Sequence, residues 1–221
     1  MKKKIRLGVL VSGSGSNLQS IIDNVEKDLL DAEIKVVISN NPNAYALIRA
    51  NKYKIPSVII KNTDFETREY FDQKMVDVLT SYSVDLVVMA GFMRILSPLF
   101  LKAFPMKIMN IHPAILPAFA GINAQKRAVD YGVKYSGCSV HFADEGVDLG
   151  PIIIQAIVPT YDDDTEDTLA ARILKEEHRI YPQAIQFYAE GRIEIIGRKV
   201  RIKGSERIPE TPHHNPSLTI F

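Results

Sequence analysis

Three residue types set the chemistry of this chain: the amide of Asn110, the imidazole of His112 in Asn110-Ile111-His112-Pro113, and the carboxylate of Asp148 in the later run 144–151. Together such groups can polarise a carbonyl, hold an oxyanion and move a proton. Residues i and i+2 at a strand end point to the same side, so Asn110 and His112 can face one cleft. Pro113 and Pro117 stiffen the segment that leaves it by fixing φ and removing donors. A carboxylate beside the ring would raise the imidazole pKa, so that a cationic ring could donate to a developing oxyanion. The expected chemistry is acyl transfer. A lone histidine is by default a core residue, and Asn110 two positions earlier is what shifts the balance.

The segments that must position these groups alternate between apolar runs and helical patterns. Strands are expected at 5–11, 34–38, 58–60, 86–89 and 107–110, with helices at 18–30, 44–51, 65–82 and 99–104 between them. Such alternation implies right-handed crossovers and a mostly parallel twisted sheet flanked by helices. The C-terminal half changes character. Longer β-branched strands at 135–142 and 152–158 suit antiparallel pairing, followed by a long helix at 165–190 and a terminal hairpin at 193–196 and 199–202. The fold class is therefore α/β, with antiparallel strands in the C-terminal half. Residues 1–203 are expected to form a single domain and the Pro-rich polar 204–221 a loosely packed tail.

Two further segments sit where open α/β sheets keep their ligands, beyond strand ends. Gly13-Ser14-Gly15-Ser16-Asn17 lies between the first strand and the first helix. Its backbone N–H groups and helix start suit a single phosphate monoester, against the simpler reading of a capped turn. It lacks the Gly-Lys-[Ser/Thr] of a Walker loop, and Leu18 stands where a dinucleotide fingerprint needs its third glycine. Ala90–Leu96 is an apolar loop whose side chains either pack beneath 99–104 or line a slot for a flat ligand. By residue type alone Arg68 is a solvated charge on a helix start, His141 a structural mid-strand residue, and His178 open between packing and function.

Composition narrows the class of partner. The 221 residues carry 27 Lys and Arg against 26 Asp and Glu, a net charge of +1, which offers no bulk attraction for nucleic acid or membrane. The one cysteine, Cys138, cannot form an intrachain disulfide, and the chain is expected in the cytoplasm. The start Met1-Lys2-Lys3-Lys4 reads as a lead-in to the first strand rather than a signal peptide. No apolar run approaches the ~20 residues that span a bilayer. His213-His214 has no further ligands at recognisable spacing, and Asp162–Asp164 lacks the register of a calcium loop, so no metal is expected.

Taken in order, Val-Ser-Gly-Ser-Gly-Ser-Asn-Leu-Gln, Ala-Gly-Phe-Met-Arg-Ile-Leu-Ser, Asn-Ile-His-Pro, the run from Ser136 to Ile153, and Glu-His-Arg-Ile-Tyr-Pro resemble the folate-dependent phosphoribosylglycinamide formyltransferases of purine biosynthesis. The resemblance covers about residues 5–203. It implies a Rossmann-like formyltransferase fold with a phosphate-binding half (1–104) and a folate-binding half (105–203). It implies that Asn110, His112 and Asp148 are catalytic, and that Gly15, Ser16, Asn17 and Glu177 bind the glycinamide ribonucleotide. It also implies that Arg68, Met93, Arg94, Ile95, Leu96, Asn110, Asp144, Glu145, Gly146, Val147 and Asp148 surround 10-formyltetrahydrofolate, the co-substrate. The partners would be these small molecules, and the protein a monomer or homodimer. Asn123 and Gln125 stand where many relatives carry histidine, and Ala120 where Pro, Lys or Gln is common. The same Asn-X-His plus distant Asp occurs in 10-formyltetrahydrofolate hydrolases, which use water as acceptor. Those usually carry an extra domain ahead of the catalytic one, and here the first strand begins at Ile5, so transfer to an amine is expected.

Overall fold

The computed structural model describes residues 4–205, 213 and 215. Seven strands form one sheet: β1 (Ile5–Val11), β2 (Ala32–Ser39), β3 (Ser57–Ile59), β4 (Leu86–Met89), β5 (Ile108–His112), β6 (Tyr135–Phe142) and β7 (Ile152–Pro159). Their order is β3-β2-β1-β4-β5-β6-β7. The first five run parallel, β6 is antiparallel to β5, and β7 is antiparallel to β6. The mixed α/β architecture expected above is the one observed. Strand β8 (Ile193–Ile196) pairs with β9 (Lys199–Ile202) in a separate antiparallel hairpin.

Period-2 alternation sends each strand to two cores. Leu7, Val9 and Val11 of β1 pack with α1 (Ser16–Glu26) and α6 (Glu166–Ala189), through Leu18, Ile21, Ile22, Tyr181 and Ile185. Leu10, Val87 and Met89 face the other side, where Phe71, Met75 and Leu79 of α3 (Arg68–Ser81) and Phe100 of α4 (Pro98–Ala103) cover them. On that face Gly8 leaves room for Leu79, whose Cδ2 would lie 2.3 Å from an added Cβ. Helix α2 (Tyr45–Lys52) packs beside α1. Burying several such side chains on both faces supplies the main driving force, about 1.5–3 kcal/mol for each large apolar residue.

Most elements fall within two or three residues of the sequence pattern, with four informative departures. Helix α1 ends at Glu26 rather than near Leu30, because Asp28 takes a left-handed φ of 53° that no helix continues through. Strand β5 extends to His112, two residues beyond expectation. His141 lies one residue from the end of β6, not in its middle. The fourth is an additional helix, α5 (Ala124–Tyr131), which no apolar periodicity announces. Its buried face consists only of Ala124 and Ala128, too small to mark a stripe, and Gly132 in a left-handed conformation ends it. Of the expected tail, nearly all lies outside the described residues; Asn215 Nδ2 donates to the Lys134 and Thr160 carbonyls. Residues 1–3 of the lead-in also lie outside them.

Candidate active site

The sheet order reverses between β1 and β4, so the loops leaving these two strands diverge to opposite faces and open a crevice at their carboxyl ends. Into that crevice run both loops singled out above. Ser12–Asn17 together with Ala90, Gly91 and Met93 lines a cavity of about 190 Å³. Gly15 is the N-cap of α1 at φ 69°, and no side chain caps the helix. A Cβ there would meet Ala46 Cβ at 2.6 Å, so both the conformation and the space demand glycine. Uncapped N–H groups at the positive end of α1 form a ready anion site.

Beneath this loop Asn17 Nδ2 donates to Glu177 Oε2 at 2.7 Å. Glu177 is 7% exposed, and burial holds its carboxyl above the ordinary glutamate range, with the Asn17 bond partly offsetting the shift. A carboxyl whose folded pKa is raised binds its proton more tightly folded than unfolded, so stability falls as pH rises through that interval. Glu177→Gln should therefore raise the thermal unfolding midpoint at pH 7 and leave it nearly unchanged at pH 4, as circular dichroism melts at the two values will read. Equal melting of the two proteins at pH 7 would contradict the assignment of a buried charge. Neighbouring His178 splits the alternatives differently: its carbonyl accepts from Ser20 Oγ, while its Nε2 is buried without a partner.

At the end of β5 three of the expected residues meet. His112 Nδ1 lies 3.1 Å from Asp148 Oδ2, and Asn110 Nδ2 donates to Asp148 Oδ1 at 3.3 Å. The Gly121 N–H adds a third donor to Oδ2 at 2.8 Å. Asp148 adopts φ 55°, a left-handed conformation for a non-glycine residue, which the converging donors help to hold. Burial works against the Asp148 carboxylate. Hydrogen bonds from His141 and Gly121, with the charge of His112, outweigh it and keep the pKa below the ordinary carboxylate value.

His112 differs from the sequence expectation. It is 5% exposed, and burial is the larger influence, so its pKa lies below the ordinary histidine value although Asp148 and the Phe119 carbonyl pull it upward. Both ring nitrogens face acceptors, since Nε2 lies 2.9 Å from the Phe119 carbonyl oxygen. With Nδ1–H committed to Asp148, Nε2 is where a second proton arrives and leaves.

His141 was expected to be structural and instead belongs to the cluster. Antiparallel register sets it opposite Asn110, with Nε2 3.2 Å from Asn110 Nδ2 and 3.5 Å from Asp148 Oδ1. Its Nδ1 lies 2.9 Å from the Phe142 carbonyl, which can only accept. That places a proton on Nδ1, while Nε2 stands between Asn110 Nδ2 and Asp148 Oδ1. The signal in the sequence was the pairing of the two strands, which their apolar patterns do not specify. The Gly121 N–H and Phe119 carbonyl carry no side-chain signal at all.

The loop after β4 realises both readings open at the sequence level. Phe92 and Leu96 are buried among Phe71, Phe100 and Phe104, while Met93, which lines the crevice, is 73% exposed and Ile95 59% exposed. Arg94 is also exposed, and Leu96 turns its side chain inward to the core. Arg68 opens α3 with its side chain 3.7 Å from Glu69. In the acidic loop Asp144 accepts from the Gly146 N–H, Glu145 and Val147 are exposed, and Gly146 packs closely over Leu149. Cys138 is buried, which pushes its thiol pKa up and makes it unreactive. Among the described residues, no group of three His, Cys, Asp or Glu is arranged to hold a metal; His213 is exposed and His214 lies outside them. Among them, too, no helix is long and apolar enough to cross a membrane.

Comparison with known proteins adds to this geometry. A family model described as formyl transferase matches residues 5–185. The phosphoribosylglycinamide formyltransferase of Haemophilus influenzae is 39% identical over 210 residues, 95% of this chain and 99% of that protein. The trifunctional purine biosynthetic protein adenosine-3 of Chironomus tentans is 45% identical over 194 residues; these cover 87% of this chain but only 14% of that longer protein. Among solved structures, glycinamide ribonucleotide transformylase 1 from Symbiobacterium toebii superposes with a TM-score of 0.90 at 48% identity, covering 91% of this chain and 95% of its own.

Proposed function

The chain belongs to the formyl transferase family, and from that premise we propose that it moves the formyl group of 10-formyltetrahydrofolate to the amine of 5'-phosphoribosylglycinamide. The products are phosphoribosyl-N-formylglycinamide and tetrahydrofolate, a step of de novo purine biosynthesis. The observation that carries this reading is the meeting of Asn110, His112 and Asp148 at the end of β5, beside a crevice flanked by an anion-binding loop and a half-apolar loop.

Each side of the crevice takes one substrate. The N–H groups of Gly15, Ser16 and Asn17 hold the phosphate, and Glu177 faces the ribosyl-glycinamide. The exposed Met93 and Ile95, the backbone around Arg94 and Leu96, the Arg68 guanidinium and the 144–148 loop enclose the folate. This assigns phosphate binding to the half before residue 105 and most folate contacts to the loops that follow β4 and β6. The reaction requires only small molecules, in the cytoplasm, without a metal or nucleic acid.

The chemical step follows from the proton positions. The glycinamide nitrogen attacks the formyl carbon, and the formyl oxygen takes up negative charge. Asn110 keeps one N–H on Asp148 and turns the other from His141 to this oxygen, which also takes the place of the Phe119 carbonyl against His112 Nε2 once that nitrogen carries a proton. The nitrogen–carbon bond forms as the amine loses a proton to the imidazole. The imidazolium so created is stabilised by Asp148, whose depressed pKa keeps it ionised. The proton then passes to N10 as the C–N10 bond breaks, leaving a neutral amide and tetrahydrofolate. Preorganised donors that need not reorient during the reaction make the main contribution to such a step.

An absorbance assay of formyl-folate consumption, run with and without glycinamide ribonucleotide, tests the acceptor. The expected result is consumption that depends on the amine and stops when it is exhausted. Equal consumption without it would assign water as acceptor, the hydrolase reaction.

A further inference from the structure

The loop between β4 and α4 has no regular structure, yet its apolar side chains are presented in a fixed alternation, Phe92 and Leu96 inward and Met93 and Ile95 outward. Two side chains from distant elements hold its ends. At the entry Ser12 Oγ accepts from the Met93 N–H at 2.9 Å, while the Ser12 N–H donates to the Gly91 carbonyl. At the exit Asp72 Oδ2 accepts from the Ser97 N–H at 2.5 Å. Asp72 is 1% exposed, on the face of α3 that also carries Phe71 and Met75 into the core. Ser97 is the N-cap of α4 and makes no side-chain cap of its own, so the Asp72 carboxylate serves that helix end from outside. One turn before Asp72 on the same helix stands Arg68.

We propose that Asp72 is a positioning residue for the folate, fixing the exit of the Met93–Leu96 loop in register with Arg68. This rests on the proposed assignment of that loop and Arg68 to the folate. The argument is geometric. A buried carboxylate is a costly choice for closing a short helix, because desolvation disfavours its charge, and exposed serine or aspartate caps are commonplace. Placed on α3, it ties the loop to the same rigid helix that supplies the guanidinium, so the two folate contacts move together. Burial raises the Asp72 pKa, and donors from Ser97 and the charge of Arg68 work the other way, which is consistent with a carboxylate retained for its bonds. The phosphate loop does not depend on it. Ser12 reaches that side through Asn40, to whose Oδ1 its hydroxyl donates at 2.6 Å.

Steady-state kinetics with each substrate varied in turn, together with calorimetric titration of a stable 10-formyl folate analogue, test the proposal. For Asp72→Ala the expected result is a rise of about tenfold in folate KM and Kd, the loss of one charge-assisted hydrogen bond. The KM for glycinamide ribonucleotide should stay within about twofold, and kcat at saturating folate within about threefold. Asp72→Asn keeps an acceptor for the Ser97 N–H, and its new N–H can donate to the oxygen of the buried Ser97 hydroxyl. It should restore folate affinity to within about threefold of wild type. An unchanged folate Kd in a folded Asp72→Ala protein, or both KM values rising together, would overturn the proposal. Wild-type protein that binds no folate overturns the folate reading itself, which the titration separates from the former case. Should Asp72→Ala fail to fold, amide exchange in the wild type remains decisive: the Ser97 N–H must be protected, and free exchange there sinks the idea.

Discussion

Replacing His112 with alanine is expected to lower turnover by about a hundredfold to a thousandfold, ~3–4 kcal/mol of transition-state stabilisation, as loss of one preorganised oxyanion donor typically does. The effect should fall on kcat, since the imidazole meets charge that exists only after the amine attacks. Binding of both substrates should change little, because the loops after β1 and β4 do not rest on this ring. Single-turnover rates and separate KM values distinguish the two. A folded His112→Ala enzyme with near-normal turnover would remove the ring from the mechanism.

The second large effect belongs to Asp148→Asn. The carboxylate accepts from Asn110 Nδ2 and the Gly121 N–H and faces His112 Nδ1. An amide has one oxygen and a donating NH2, so at least one of these donors would face another donor. The ring then turns to its other tautomer or loses its orientation, and turnover should fall on the order of a thousandfold or more, as when a triad aspartate becomes asparagine. Asp148 also pulls the His112 pKa upward against burial. Without it, the ring should titrate at still lower pH, which NMR of the His112 Cε1 proton will follow. Turnover within tenfold of wild type, or a His112 that titrates higher in the variant, would contradict this role. The sign of the stability change is also fixed. Because the folded Asp148 pKa lies below the ordinary value, its stabilisation is present above that ordinary value and is lost as pH falls through the folded one. The two proteins should therefore differ in stability at neutral pH and converge in strong acid.

The comparison of the two histidines shows how far residue patterns reach. His112 was legible because Asn110 shares its face of a strand end and two prolines stiffen the exit, all within eight residues. His141 also faces Asp148, its Nε2 3.5 Å from Oδ1, but its place depends on antiparallel register against β5. Register is set by turn geometry and by which faces are buried, and both strands here are buried almost throughout. Helix α5 was hidden for a related reason: a face of two alanines buries enough to pack and too little to show as a stripe. Asp72 went unnoticed in the sequence, since nothing in its neighbours reveals that it turns inward to Ser97.

By itself the sequence determined the alternation of strands and helices, the glycine loop between the first strand and the first helix, and the three polar groups whose types suit acyl transfer. These are local properties, written in periodicity, backbone permissiveness and side-chain chemistry. The tertiary structure alone decided that the sheet order reverses between β1 and β4, so that the loops leaving these two strands open into one crevice. It also decided that His112 rests below its ordinary pKa, because desolvation is a sum over everything packed around the ring and outweighs the single carboxylate beside it.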